Sequence, residues 1–543
     1  MSIFSSSIMT DNDRYRENHT AMSALVTRLQ ALNARAPALS ARRQDRFGKR
    51  GQLLPRTRLA HLLDPGMPYL EIGNLAGYLL DTSNEEKSVP GSTIMGGIGY
   101  IAGTRCAIVT DDSGIKAGSM TVAGGYRLKR MQEIALQQKL PFVHLVESAG
   151  GDLQNYTVEG FISGGSLFAN LARLSAAGLP VISILHGSST AGGAYMPGLS
   201  DYVVAVKDRG RAFLAGPPLL KAATGEIATD EELGGAAMHA TISGLADYLA
   251  DDDASAIALT RDIVRRLNWH HKNTNPSPLS LNDHCAPIYN PDEILGIVSP
   301  DYRQPYDARE VIARLVDRSD FTDFKPGYGV STVCVHADIM GHTVGILANN
   351  GPIDPDGAVK ATHFIQLCDQ SETPLVFLQN TTGYMVGTAY ERAGMIKHGS
   401  KMIQAVTNAR VPRLTMMIGA SFGAGNYGMC GRGYEPDFCF TWPNAQAGVM
   451  GGEQAAKVMD IVGEAQRAKT GATLDEAQRT MQAKMLTHLF DSQSSAFYTS
   501  GHLQDDGMID PRQTRQTLGF LLATVTDGRK TMPHTNSFGV ARP

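Results

Sequence analysis

The sequence predicts an α/β protein built from two tandem domains related by internal duplication. Three features carry that expectation: short apolar runs alternate with helical stretches, Gly-rich turns close several of the runs, and the whole order occurs twice at near-constant spacing. A polar lead-in over residues 12–48, rich in Arg, Asp and Glu, reads as helical and sets off an N-terminal arm, 1–48. The first domain, 49–275, opens with RTRLAHLLDPGMPYLEIG (56–73): Leu at helical spacing, an acidic turn, then a strand. The second domain, 294–543, opens the same way with AREVIARLVDRSDFTDFKPG (308–327).

A pair of strands follows in each half, GGIGYIAGTRCAIVTDD (96–112) and STVCVHADIMGHTVGILANN (331–350). A helix then precedes QKLPFVHLVESAGG (138–151) in one half and SETPLVFLQNTTGY (371–384) in the other. A second helix precedes GLPVISILHGSSTAGGAY (178–195) and RVPRLTMMIGASFGAGNY (410–427). Runs such as PFVHLV and PVISIL are short, apolar and bounded by Gly, as in buried parallel strands. Pro141 and Pro374 are 233 residues apart, and Pro180/Pro412, Gly193/Gly425, Tyr195/Tyr427 and Gly216/Gly448 are each 232 apart. A Pro- and Asn-rich stretch (270–293) separates the copies, with the linker placed at 276–293.

Composition narrows the function. With 43% hydrophobic and 19% charged residues, the chain can fill two cores. Its 49 basic and 53 acidic residues leave a net charge of −4, too little positive field for nucleic-acid binding. The six cysteines form no CxxC pair, the N-terminus lacks a basic and apolar leader pattern, and no apolar run is long enough to span a bilayer. A cytoplasmic protein is expected.

Glycine is the outlier, at 57 of 543 residues. Much of it falls in turns that end a strand and open a helix: ESAGGD (147–152), STAGGAYMPG (189–198), QNTTGYMVG (379–387) and GASFGAGNYGM (419–429). Small residues at a helix start let a ligand reach bare N–H groups whose dipoles favour negative charge, and two such amides on one oxygen form an oxyanion hole. No GxxxxGK[ST], HExxH or CxxC motif occurs, and no metal ligand set is expected. Backbone rather than side chains then carries the polarising chemistry, unless the glycines serve only tight α/β turns.

AGGAYMPG (191–198), GPPLLKAATGE (216–226), SFGAGNYGMCGRGYEPDFCFTWPNAQAGVMGGEQAA (421–456) and DDGMIDPRQTR (505–515) resemble the carboxyltransferase (β) subunit of biotin-dependent acyl-CoA carboxylases. The resemblance covers nearly all the chain after the arm. It implies two crotonase-like (ββα superhelix) domains, the first binding acyl-CoA and the second receiving carboxybiotin. By motif, Gly192 and Gly193 correspond to the amides for the thioester carbonyl, and Ala424 and Gly425 to those for the biotin ureido oxygen. The second loop reads Gly423-Ala424-Gly425-Asn426 where Gly-Gly-Ala is common, so which amides donate is open by one residue. Ala149 and Gly150 are candidates to line the thioester site.

The resemblance also implies biotin carried in trans by a biotin carboxylase/biotin carrier α subunit, with ATP used only there, and a β6 core within an α6β6 complex. Within the family the chain looks most like the methylcrotonyl/geranyl branch. Methylcrotonyl-type chains read HFGRIFFNQANMSA where this chain reads SGGSLFANLARLSA (163–176), placing Gly164, beside Gly165, where a Phe stands. That implies room for an isoprenoid tail, hence geranyl-CoA carboxylated at the γ-carbon through enolates. The alternatives are 3-methylcrotonyl-CoA, or a stand-alone crotonase-type hydratase or isomerase using Glu147 and Asp152.

Overall fold

Two eight-residue strands, Ile94–Ile101 and Thr104–Asp111, are buried at every position, the charged Arg105 and Asp111 of the second included. They belong to a computed structural model that describes residues 3–80, 82–91, 93–152, 155, 157–269, 286–470 and 476–541. The chain divides into two compact units. An N-terminal unit comprises Ala31–Pro278, Gly501–Leu503 and Thr524–Pro543, and a C-terminal unit comprises Met1–Gln30, Leu279–Ser500 and Gln504–Ala523.

In the N-terminal unit the strands are β1 (Leu70–Ile72), β2 (Ile94–Ile101), β3 (Thr104–Asp111), β4 (Phe142–Ser148), β5 (Val181–Thr190), β6 (Tyr202–Val206), β7 (Arg211–Phe213) and β8 (Tyr248–Ala250). They form one sheet in the order β1-β2-β3-β4-β5-β6-β8, with β7 paired to β5. β1–β3 are antiparallel and β3 onward is parallel. The C-terminal unit repeats this with β9 (Phe321–Asp323), β10 (Thr332–Ile339), β11 (His342–Asn349), β12 (Leu375–Thr381), β13 (Arg413–Phe422), β14 (Phe438–Thr441) and β15 (Gln446–Gly448). The order is β14-β13-β12-β11-β10-β9, with β15 paired to β13. The expected architecture of two duplicated crotonase-like α/β domains is the observed one.

In each unit, helices join parallel neighbours because a parallel pair needs a crossover. Val122–Gln138 joins β3 to β4, and Pro355–Gln370 joins β11 to β12. Both are N-capped, by Thr121 and Asp354, whose side chains accept from the Gly124 and Gly357 amides. The apolar faces close over one core around Ile108, Val143, Ile182 and Val204 and another around Leu347, Phe364, Phe377 and Met402.

The duplication also supplies an internal stability comparison. Arg127 and Lys360 occupy equivalent helix positions, and both are fully buried. The Arg127 guanidinium donates to the Ile72, Gly91 and Ile94 carbonyls at 2.6–2.7 Å and to Glu71 at 2.8 Å, tying the helix to β1 and β2. The Lys360 ammonium has no hydrogen-bond partner among the described residues, and burial pushes its pKa down. Arg127→Met is therefore expected to cost about 3–5 kcal/mol, because it strands buried carbonyls and Glu71, whereas Lys360→Met should cost about nothing or stabilise. Chemical denaturation of the two variants checks both signs.

The lead-in is helical as expected, over Asp13–Asn33, Arg35–Ala41 and Gln44–Lys49. It is less polar than its composition suggested, because Met22, Val26 and Leu29 form a buried stripe at helical spacing. Residues 1–30 group with the C-terminal unit and 524–543 with the N-terminal one, so the observed units exchange terminal segments that simple tandem bounds keep apart. Residues 270–285, which hold His270, His271, Cys285 and the first part of the expected linker, lie outside the described residues. The other five cysteines are free and buried.

Candidate active site

The first Gly-rich site forms where β4 and β5 end side by side. Their parallel register runs from Phe142↔Val181 to Val146↔Leu185 and then jumps to Ser148↔Ser189. β5 thus carries two more residues than β4 across the jump, and its bulge, His186–Ser188, faces Glu147. Beyond β4, Gly150 takes a left-handed φ of 85°, and a Cβ there would lie 3.3 Å from the Thr190 carbonyl oxygen. Beyond β5, Ala191–Ala194 coils into a 3-10 turn. Ala149, Gly150, Gly192 and Gly193 are thereby brought together.

Their roles differ in hydrogen bonding. The Ala149 amide donates to the Gly118 carbonyl at 3.2 Å and the Gly150 amide to Ser148 Oγ at 3.2 Å. Those two amides are engaged by the protein itself. Gly192 and Gly193 are the second and third residues of this 3-10 turn, at its N-terminal end, where N–H groups are least committed to carbonyls inside the turn. Gly192 is exposed and Gly193 buried.

The C-terminal unit reproduces the arrangement. β12 and β13 run in register from Leu375↔Arg413 to Gln379↔Met417, then jump to Thr381↔Ser421, again with two extra residues on the second strand. Gly383 follows at φ 119° and Gly423 at φ 55°, and the helix Gly423–Gly428 begins. Ala424 and Gly425 are its second and third residues, one exposed and one buried, as at Gly192 and Gly193. Of the 423–426 stretch, this pair is the structural counterpart of the first turn's glycines. Here too the earlier turn is spent internally, the Gly383 amide donating to Thr381 Oγ1 at 3.3 Å.

Gly164 ends the helix Val158–Gly164, none of whose residues is buried, and Phe161 and Ile162 are 71% and 70% exposed. A Cβ on Gly164 would meet nothing within 4 Å, and one on Gly165 would meet only the Ile162 carbonyl oxygen, at 3.4 Å. Close packing therefore does not require glycine at either position. The next helix, Ser166–Ala176, sets Phe168 edge-on to Tyr195, with centroids 5.6 Å apart. The Phe168 ring lies 3.3 Å from where a Gly192 Cβ would stand. Phe168 escaped the sequence reading because nothing local marks it. Only the fold brings it to the turn.

A buried charged chain lies beneath the first site. Arg58 donates to Glu147 at 2.5 Å and to Asp253 at 3.0 Å, and His186 Nδ1 lies 2.7 Å from the other Asp253 oxygen. Burial pushes the Asp253 carboxyl up, but His186, Arg58 and the Leu53 amide outweigh it and hold the pKa at about 2. Burial and the Arg58 charge push the His186 pKa down, against the upward pull of Asp253. Glu147 is thus committed to Arg58, and Asp152 lies 4.0 Å from Lys116, which deprives a hydratase reading of a free carboxylate pair. Among the described residues, no group of three or more His, Cys, Asp or Glu could hold a metal ion.

The model of the carboxyl transferase domain matches residues 47–537, nearly the whole chain. The chain belongs to this carboxyltransferase family. A solved relative, the beta subunit of P. aeruginosa geranyl-CoA carboxylase, shares 49% identity and a TM-score of 0.92, with all of both chains covered. A Mycobacterium tuberculosis protein named "Probable biotin-dependent acyl-coenzyme A carboxylase beta2 subunit" is 47% identical over 97% of this chain and 98% of its own. The biotin-dependent 3-methylcrotonyl-coenzyme A carboxylase beta1 subunit of the same organism is 44% identical over 89% and 90%. This carboxyltransferase is accordingly the β-type component of an acyl-CoA carboxylase, and the paired Gly-rich turns are its candidate reaction centres.

Proposed function

We propose that this carboxyltransferase moves CO2 from carboxybiotin to the γ-carbon of a 3-methyl-2-enoyl-CoA, with geranyl-CoA as the preferred acyl group. The observation that carries the acyl choice is the open space at Gly164, beside the exposed Phe161 and Ile162. Likeness to both geranyl- and methylcrotonyl-type relatives frames the alternatives, and 3-methylcrotonyl-CoA is the second reading.

Conjugation through the enoyl thioester makes the γ-hydrogens acidic. On this reading the Gly192 and Gly193 amides donate to the thioester oxygen, where negative charge collects as a γ-proton leaves. The γ-carbon then forms the new C–C bond to CO2. Carboxybiotin, when bound, would supply CO2 by breaking its N–CO2 bond, and the biotin anion left behind would take up the γ-proton. Ala424 and Gly425 donate to its ureido oxygen, and their residue types suit the close approach of a planar urea. Two such donors supply several kcal/mol to each charge build-up. The protein needs no general base, which fits a Glu147 already bound to Arg58.

Biotin and ATP are assigned to a biotin carboxylase/biotin carrier α partner. The β chains are assigned to a β6 core in an α6β6 complex, a second copy supplying the carboxybiotin side of each site. No helix among the described residues is long and apolar enough to cross a membrane. Five free, buried cysteines support a reducing cytoplasm.

The test is a substrate panel on the reconstituted α/β complex. Geranyl-CoA should exceed 3-methylcrotonyl-CoA in kcat/KM by about tenfold or more, since several methylenes of contact are at stake. Propionyl-CoA, lacking the conjugated γ-carbon, should be inert. Efficient turnover of 3-methylcrotonyl-CoA with geranyl-CoA untouched would overturn the acyl choice.

A further inference from the structure

The same strand shift is held in two different ways in the two units. In the C-terminal unit neutral side chains suffice: Asn380, next to the bulge of β13, accepts the Ala420 amide at 3.2 Å and packs against Gly419, and Asn444 Nδ2 donates to the Ile418 carbonyl at 3.1 Å. The bulge residue before Gly419 is Ile418, fully buried. In the N-terminal unit the corresponding positions are Glu147, which packs on Gly187, and His186. Arg58 stands six residues before Asp64, which accepts the Ala102 and Gly103 amides; Val311 stands six residues before Asp317, which accepts the Met340 and Gly341 amides. So Arg58, Glu147 and His186 are matched by Val311, Asn380 and Ile418. The fold makes the shift without buried charge, yet one half keeps a charged chain there.

That chain carries a stability penalty. Arg58 is 1% exposed and His186 0%, and Arg58 Nη2 and His186 Nε2 have no hydrogen-bond partner among the described residues. Buried ion pairs seldom out-stabilise apolar packing, and orphaned buried donors make the balance worse. The chain grips the bulge from several sides. Asp253 binds the His186 ring, and Gln52 Nε2 donates to the His186 carbonyl at 3.0 Å. Asp253 also accepts from Arg58 and from the Leu53 amide at 2.7 Å, and Arg58 holds Glu147. Glu147 leads directly into Ser148-Ala149-Gly150, and His186 lies four residues before Thr190, where β5 turns into Gly192–Gly193.

We propose that Arg58, Glu147, Asp253 and His186 are positioning residues for the acyl-side turn: their charged chain fixes the β4/β5 shift and with it the spacing and aim of the Gly192 and Gly193 amides. This rests on the acyl role proposed for that turn. A turn that must meet a developing oxyanion needs its donors held to fractions of an ångström, and charged bonds resist displacement better than neutral ones such as those of Asn380 and Asn444.

The test uses the complex of this chain with its biotin-carrying partner. One variant is Glu147→Gln, which keeps shape and drops the charge. The other is the fourfold Arg58→Val, Glu147→Asn, His186→Ile, Asp253→Asn, which imports the three neutral counterparts, neutralises Asp253 and leaves no orphan charge. Carboxylation of geranyl-CoA and of 3-methylcrotonyl-CoA is read alongside bicarbonate-dependent ATP turnover without any acyl-CoA. The expected result is a fall in kcat of about 30-fold, with acyl-CoA KM within threefold and acyl-free turnover within twofold. Wild-type kcat in both variants overturns the proposal. A matching fall in acyl-free turnover also overturns it, by showing that the first turn serves carboxybiotin, the failure of the underlying reading. Should the fourfold variant not assemble, Glu147→Gln alone decides between these outcomes.

Discussion

Gly425→Ala is expected to lower kcat of the assembled enzyme by about 10²-fold while leaving the fold intact, whereas Gly193→Ala should lower it only about tenfold. The geometry sets the order. A Cβ on Gly425 would stand 2.8 Å from Gly383 Cα and 2.9 Å from Thr381 Cγ2, so backbone must yield and the β12 and β13 turns must part. A Cβ on Gly193 would meet Ser189 Oγ at 3.0 Å and Ser148 Cβ at 3.2 Å, side-chain atoms that can give by tenths of an ångström. Displacing an oxyanion donor by about 1 Å costs about 10² in rate, and a few tenths costs correspondingly less. Steady-state kinetics on the two variants, with circular dichroism to confirm folding, reads the ratio. Equal losses at the two positions would mean that steric displacement of the turns does not govern the rate.

Gly164→Phe is expected to divert the enzyme from long to short acyl groups: kcat/KM for geranyl-CoA should fall by about 10²-fold or more, and that for 3-methylcrotonyl-CoA should stay within about threefold. A Cβ at this position meets no protein atom within 4 Å, so the side chain starts into open space where it is expected to compete with substrate. Stability should hold or rise slightly, because glycine is a poor helix former and Gly164 has no left-handed φ to protect. Competition assays with both thioesters, together with thermal melts, separate this from a folding defect. A variant that carboxylated both substrates at wild-type rates would remove Gly164 from the acyl site.

The two predictions show which parts of the protein its sequence discloses. Strand ends, Gly turns and the two-fold plan were legible because they are local: apolar runs bounded by glycine recur at 232–233 residues, and backbone geometry follows. The glycines at 192, 193 and 425 could be singled out on that basis. Arg58, Asp253 and His186 could not, because their partners lie 195 and 67 residues away and nothing in the flanking sequence marks a buried pair. Glu147 was visible but drew attention as a possible acid–base group, since its commitment to Arg58 exists only in the folded chain. The stripe Met22, Val26, Leu29 was masked by the charges around it, and the short strands β7 and β15, three residues each, are too brief to show a period.

The exchange of terminal segments has a consequence for how the gene can be divided. A cut within 276–293 looks like a clean separation of two halves. Yet the N-terminal fragment would keep 1–30 without the unit they group with, and the C-terminal fragment would keep 524–543, which belong with the other unit. Met22, Val26 and Leu29, buried within 1–30, and Val525, buried within 524–543, would be parted from the units they group with. Each piece made alone should be poorly soluble, whereas the two expressed together should rescue one another. The doubled chain is therefore expected to fold only as a whole, since each unit draws a terminal segment from beyond the other's main body.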